Sequence, residues 1–208
     1  MAIARLSTGE VFAHYSDINE ITKPLQVGKF SLPASARQKI AGLQKPLTSQ
    51  GAECILDVLD PNADSIMQRE GFEFQYRRVG CYVPPETRGG QCSFTTLEEG
   101  AADVNVETMS EDELAAYLMP HNVHAHDWHF TFSGTIIKGI QLDDDLQAVV
   151  YVTPGEWIRL SPAVLNWPIF AFGTPVIGLS YFDRMPGADG EFDMSLHPDH
   201  SVIDSMKF

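Results

Sequence analysis

From residue 121 onward the chain is a succession of short β-prone segments punctuated by turn signals, and few folds accept such a succession. HAHDWHFTF, GTIIKGIQL, QAVVYVTP, EWIRLSP, PIFAF and PVIGLSYF follow one another, with Ser133-Gly134, Asp143 to Asp145, Pro154-Gly155, Pro162 and Gly173 between them. Strands recurring every roughly 8 to 12 residues between tight turns specify an antiparallel barrel or sandwich. No repeat of roughly 20 to 50 residues is present, which argues against a solenoid or propeller.

The first half reads differently. Ala34 to Leu43 carries good helix formers behind Pro33. Glu53 to Leu59 alternates partly and reads as a strand ended by Asp60-Pro61, and Gly71 to Tyr82 is aromatic and β-prone. Pro84 to Glu107, with Pro84-Pro85, Gly89-Gly90 and the acidic stretch around Glu98, Glu99 and Asp103, reads as a long loop or insertion. Its acidic part reads as a solvated loop in preference to a lid. Ser110 to Glu113 forms a capping box that opens a short helix ending at Pro120. The polar tail after Pro186 is expected to pack loosely outside. The expected organisation is one structural domain: an N-terminal extension over 1–83, an acidic loop over 84–109, and a barrel core with its tail over 110–208.

A chain of 208 residues buries roughly 70% of its unfolded surface, so its core needs no covalent staples. With 28 acidic and 14 basic residues the formal charge is −14, which argues against nucleic acid or an anionic membrane as partner. Cys54, Cys81 and Cys92 are an odd number without CxxC spacing, as expected of reduced structural thiols. The opening residues lack the apolar core of a signal peptide, and no stretch approaches the roughly 20 apolar residues of a membrane span. A cytosolic protein is expected.

Four of the seven histidines lie within HNVHAHDWH, and this is where chemistry is expected. Read as a strand, His124 and His126 point to one face and can share a metal ion. His129 follows Asp127 and Trp128 and can close a three-histidine site. The expected ligand set is His124, His126 and His129, with His121 and Asp127 in reserve. An isolated His14, or the His197 and His200 of the tail, is read as solvent-facing or as a local cap.

The segment from His124 to Met185 resembles a cupin, and within the cupins it resembles the acireductone dioxygenases. HAHDWHFTFSG is similar to the first cupin motif, in which an HxH pair and a carboxylate precede a glycine. PGEWIRLSPAVLNWPIFAF resembles the second motif, and GLSYFDRMPG the closing strand. By distance to Gly134, Asp127 takes the place of the family's glutamate, and His129 keeps the same strand parity. Counted from Pro162, Trp167 stands where the family has its second-motif histidine, beside Asn166.

The resemblance implies a mostly β fold: a single cupin-type antiparallel β-barrel with a mixed α/β N-terminal extension. It implies a metal-dependent oxidoreductase, a dioxygenase of a small enol- or enediol-type molecule, using Fe(2+), with Ni(2+), Zn(2+) or Mn(2+) as alternatives. A homodimer is expected on the same ground. Trp157, Trp167, Phe170 and Phe172 are expected to line the pocket. The altered second motif leaves two other readings open: a cupin lyase, isomerase or cyclase using the metal as a Lewis acid, and a metal-free small-molecule binder. No general base is assigned, and no organic cofactor is expected.

Overall fold

The computed structural model describes residues 1–59, 62–84, 92–98, 105–110, 112, 115, 118–169, 171, 173–185 and 194–202. Its strands form two seven-stranded antiparallel sheets instead of one closed barrel. In chain order the strands are β1 (Ile3–Leu6), β2 (Val11–Phe12), β3 (Leu25–Lys29), β4 (Tyr76–Val83), β5 (Cys92–Glu98), β6 (Asn105–Met109) and β7 (His121–Val123). They continue with β8 (Asp127–Ser133), β9 (Ile136–Gln141), β10 (Gln147–Val152), β11 (Glu156–Leu160), β12 (Leu165–Ile169), β13 (Val176–Phe182) and β14 (Met194–Leu196). The first sheet runs β14-β7-β12-β9-β10-β1-β2 and the second β3-β11-β8-β13-β4-β5-β6. Four helices precede β4: α1 (Tyr15–Ile21), α2 (Ala34–Ala41), α3 (Ser49–Leu59) and α4 (Asn62–Arg69).

Period-two alternation decides what each strand presents. Along β8, Trp128, Phe130 and Phe132 face outward from the second sheet, with Val79 and Cys81 of β4 and Ile177, Leu179 and Tyr181 of β13. Helices α2, α3 and α4 cover that face with Ile40, Ile55, Ala63 and Met67. Aromatic pairs tighten the layer: Trp128 meets Trp157 edge to face at 4.9 Å, and Phe30 meets Phe130 at 5.3 Å. Each such pair contributes about 0.5–1.5 kcal/mol beyond area burial.

The opposite faces of the two sheets meet each other. At one end the gap is filled by Ala4, Ile140, Ala148 and Val150 of the first sheet against Leu25, Val27, Ile158 and Leu160 of the second, with Ile18 of α1. Glu156 is buried at this end. Its carboxylate accepts hydrogen bonds from Ala2 N–H (2.6 Å), Tyr15 O–H (2.5 Å) and Thr153 N–H (2.9 Å) and O–H (2.8 Å). Burial alone would raise its pKa, but these donors outweigh it and hold the carboxyl below the ordinary range. The other end of the gap stays open.

Several expectations change here. Glu53 to Leu59 is not a strand but part of α3. Gly51, Ala52, Cys54 and Ile55 form its buried face, and Thr48 Oγ1 accepts the N–H of Gly51 at 3.2 Å. The stretch expected as loop after Pro84 contains β5 and β6, which extend the second sheet beyond β4. Glu98 and Glu107 therefore lie in strands; Glu99 and Asp103 are outside the described residues. Most of the helix expected after Ser110 is also outside them. The helix at Ala34 forms and ends at Ala41. Gly134 turns β8 into β9 at φ +71°, and a Cβ there would stand 2.3 Å from the carbonyl of Pro175. Of the tail, residues 194–202 are described: they lie on the outside, mostly exposed, with β14 paired to β7 and His200 Nε2 2.8 Å from Gln141 Oε1 near the ring of Trp167.

Candidate active site

The open end of the gap is a half-open pocket between β4, β8 and β13 on one side and β9 and β12 on the other. Its reactive groups come from the inward parity of these strands. Asp127 and His129 are two apart on β8, so both face inward, as their spacing predicts. His129 Nδ1 lies 2.6 Å from Ser180 Oγ on β13, its neighbour in the ladder. Its Nε2 lies 3.0 Å from Asp127 Oδ2. By geometry neither His129 Nε2 nor Asp127 Oδ1 has a hydrogen-bond partner, and both are buried, but the short contact still draws the two groups together.

Two further groups belong to this network. Lys138, inward on β9, donates from Nζ to Asn166 Oδ1 at 3.1 Å. Burial pushes its pKa down, opposed by attraction to Asp127 and helped by repulsion from Arg78. Burial would raise the pKa of Asp127, but His129, Lys138 and His121 together hold it below the ordinary value, so it is a carboxylate at neutral pH. His121 on β7 is buried, with Nδ1 2.9 Å from the carbonyl of Met119. Burial and Lys138 lower its pKa, so its imidazole is neutral at pH 7.

The sequence-derived ligands separate. His129 is inside. His124 and His126 are not on a strand but in the bend between β7 and β8, where strand parity does not apply. His126 takes up Asp183 instead: Nδ1 lies 2.6 Å from Oδ2, and its backbone N–H donates to Oδ1 at 2.9 Å. Its side chain is 45% exposed, which puts it at the rim. Among the described residues no three His, Cys, Asp or Glu side chains converge into a metal cage. Asp127, one of the reserves, interacts electrostatically with both His129 and His121, the other reserve.

The expected pocket wall is also corrected. Trp157 faces the helical layer. Trp167 faces away from the gap, over Gly139, so the inward position beside it belongs to Asn166. Phe170 and Phe172 are outside the described residues. The wall is built instead from Tyr82, Ile136, Ile137, Pro168 and Val176, with Arg78 and Lys138. Lys138 had a legible signal, a lone charge inside the apolar run IIKGI; Arg78 and Ser180 had none. His14 stands at the N-cap of α1 without a side-chain cap bond, and His197 bonds Asn122.

No protein-family model matches this sequence, and no curated protein matches it. Among solved structures the chain is similar to an acireductone dioxygenase from Bacillus anthracis with a cadmium ion in its active centre. The TM-score is 0.62 at 16% identity, over 88% of this chain and 94% of that one. An oxalate decarboxylase from Bacillus subtilis overlaps at a TM-score of 0.32 and 14% identity, over 56% of this chain and 28% of its own. The chain thus has a cupin fold resembling that of acireductone dioxygenase.

Proposed function

We propose that this cupin-fold chain is a metal-dependent oxidoreductase, a dioxygenase of a small enol- or enediol-type molecule held between its sheets. The observation that carries the reading is the inward pair His129 and Asp127. His129 Nε2 and Asp127 Oδ1 are both buried without a hydrogen-bond partner, while Nε2 rests 3.0 Å from the other oxygen of the same carboxylate, and a bound cation would satisfy both orphaned atoms. His129 and Asp127 are the two donors this chain would offer the ion; among the described residues no third His, Cys, Asp or Glu side chain converges with them, so water or substrate would complete the shell. The set His124, His126 and His129 would require Asp183 to release His126. Fe(2+) supplies redox chemistry and O₂ reactivity when bound; Ni(2+), Zn(2+) and Mn(2+) suit the same donors. The protein's own part is positional. Ser180 fixes the ring of His129, Asp127 stays ionised, and the apolar wall excludes water.

Anaerobic purification followed by metal analysis and O₂ uptake with a panel of enediols tests this. Stoichiometric iron and enediol-dependent uptake are expected, both lost in Asp127→Asn and His129→Ala. Trace metal, or no uptake with the iron-loaded protein, overturns the reading. One observation favours a lyase, isomerase or cyclase: Asn166 and Lys138 fill the place where a further donor would stand. Turnover under strict anaerobiosis selects that reading. A cytosolic setting agrees with the free Cys54 and Cys81. Among the described residues no helix is long and apolar enough to cross a membrane.

A further inference from the structure

The cavity carries positive charge that the His129–Asp127 pair does not require. Arg78 enters from β4 of the second sheet and Lys138 from β9 of the first, so the two cations line the same space from opposite walls. Among the described residues that line it there is no carboxylate; Asp127 sits behind His129 and is engaged with it. Lys138 is anchored through Asn166, and the guanidinium of Arg78 lies 5.7 Å from the ring centre of Phe182. Each cation is therefore steered by its surroundings, with donor capacity left over.

Asp127 offsets part of the charge of Lys138 from outside the lining, but Arg78 and Lys138 still repel each other across a mostly apolar space, which is unfavourable on its own. An anion between them reverses the sign. The planar fork of Arg78 and the ammonium of Lys138 match the two oxygens of a carboxylate. Ile136, Ile137, Pro168 and Val176 then offer an apolar wall to a short carbon skeleton. We propose that Arg78 and Lys138 form a carboxylate-binding subsite, so that the substrate is a small organic acid with its reacting carbons turned toward His129. This rests on the reading of the cavity as the reaction site.

The probe is butyrate, a carboxylate with no further oxygen-bearing group to form a chelate ring on a metal, against butyramide, its neutral counterpart. Binding is followed by ligand-observed NMR and by thermal shift on the protein as purified. Butyrate is expected to bind and butyramide to bind about tenfold or more weakly, as loss of a charge-assisted hydrogen bond implies. Arg78→Met and Lys138→Met each lose butyrate binding by a similar factor while leaving butyramide unchanged. Arg78→Lys, which keeps the charge, retains part of it and guards against a folding defect in the Met variant. Equal binding of acid and amide, unchanged butyrate affinity in both Met variants, or preferential binding of inorganic phosphate overturns the proposal. Enediol turnover is not part of the readout. Butyrate binding that depends on Arg78, without O₂ uptake, sinks the dioxygenase reading and keeps the subsite.

Discussion

The ring of His129 is held from one side by Ser180 and faces the carboxylate of Asp127 with its other nitrogen, and that asymmetry is what a metal ligand needs. A partner on the second ring nitrogen fixes tautomer and orientation. Ser180→Ala is expected to weaken metal binding about 10–100-fold, read by competition with a chromogenic chelator, while the melting temperature hardly moves. Unchanged metal affinity would mean that His129 is not a ligand. At this scale the sequence was half legible. Asp127 and His129 share a parity that Gly134 fixes from a distance, and both face inward. The parity argument failed for His124 and His126 because it presumes a strand. The bend after Val123, stabilised through Asp183, lies outside any local pattern: its partner is 57 residues away.

β8 divides its two faces between two tasks. One face gives Trp128, Phe130 and Phe132 to the helical layer; the other gives His129 to the cavity, with Asp127 beside it. A one-residue slip in register would exchange core for site, so the ladders to β11 and β13 specify position as well as stability. The neighbouring β9 is held by a different device. Trp167 lies flat over Gly139, where a Cβ would come within 1.9 Å of its ring. Gly139→Ala is therefore expected to cost about 1–3 kcal/mol, as overpacking does, measured by denaturant unfolding; a variant as stable as the parent would show that Trp167 is free to move aside. The same contact explains why counting from Pro162 led to Trp167 without finding its role. Counting gives position along the chain, and the pleat decides the face. Helix α3 was misread for a related reason. ECILDVL is too short to separate a period of two from one of 3.6, and only the aromatic face of the second sheet selects the helix.

For the molecule as a whole, the succession of short strands after residue 121 was enough to read antiparallel β architecture, but not its division into two sheets. That division depends on β1 joining one sheet and β3 the other, pairings made more than a hundred residues apart. Glu156 lies where these pieces meet. Its carboxyl is held below the ordinary 4.5 by its donors, so its contribution is complete above the unfolded-state pKa and is lost as pH falls through the folded one. Glu156→Gln is expected to lower stability at neutral pH by about 1–3 kcal/mol and to flatten the acid limb of the stability–pH curve. Equal acid slopes in parent and variant would remove Glu156 from that account. Glu156 ties the closed end of the sandwich together, away from the pocket at the open end. The three tryptophans divide between other compartments. Trp128 and Trp157 lie together beneath the helices, while Trp167 lies alone beneath the tail at His200. The chain therefore carries two optical reporters: an excitonically close pair that senses the helical layer, and a single indole whose emission senses whether the tail is seated.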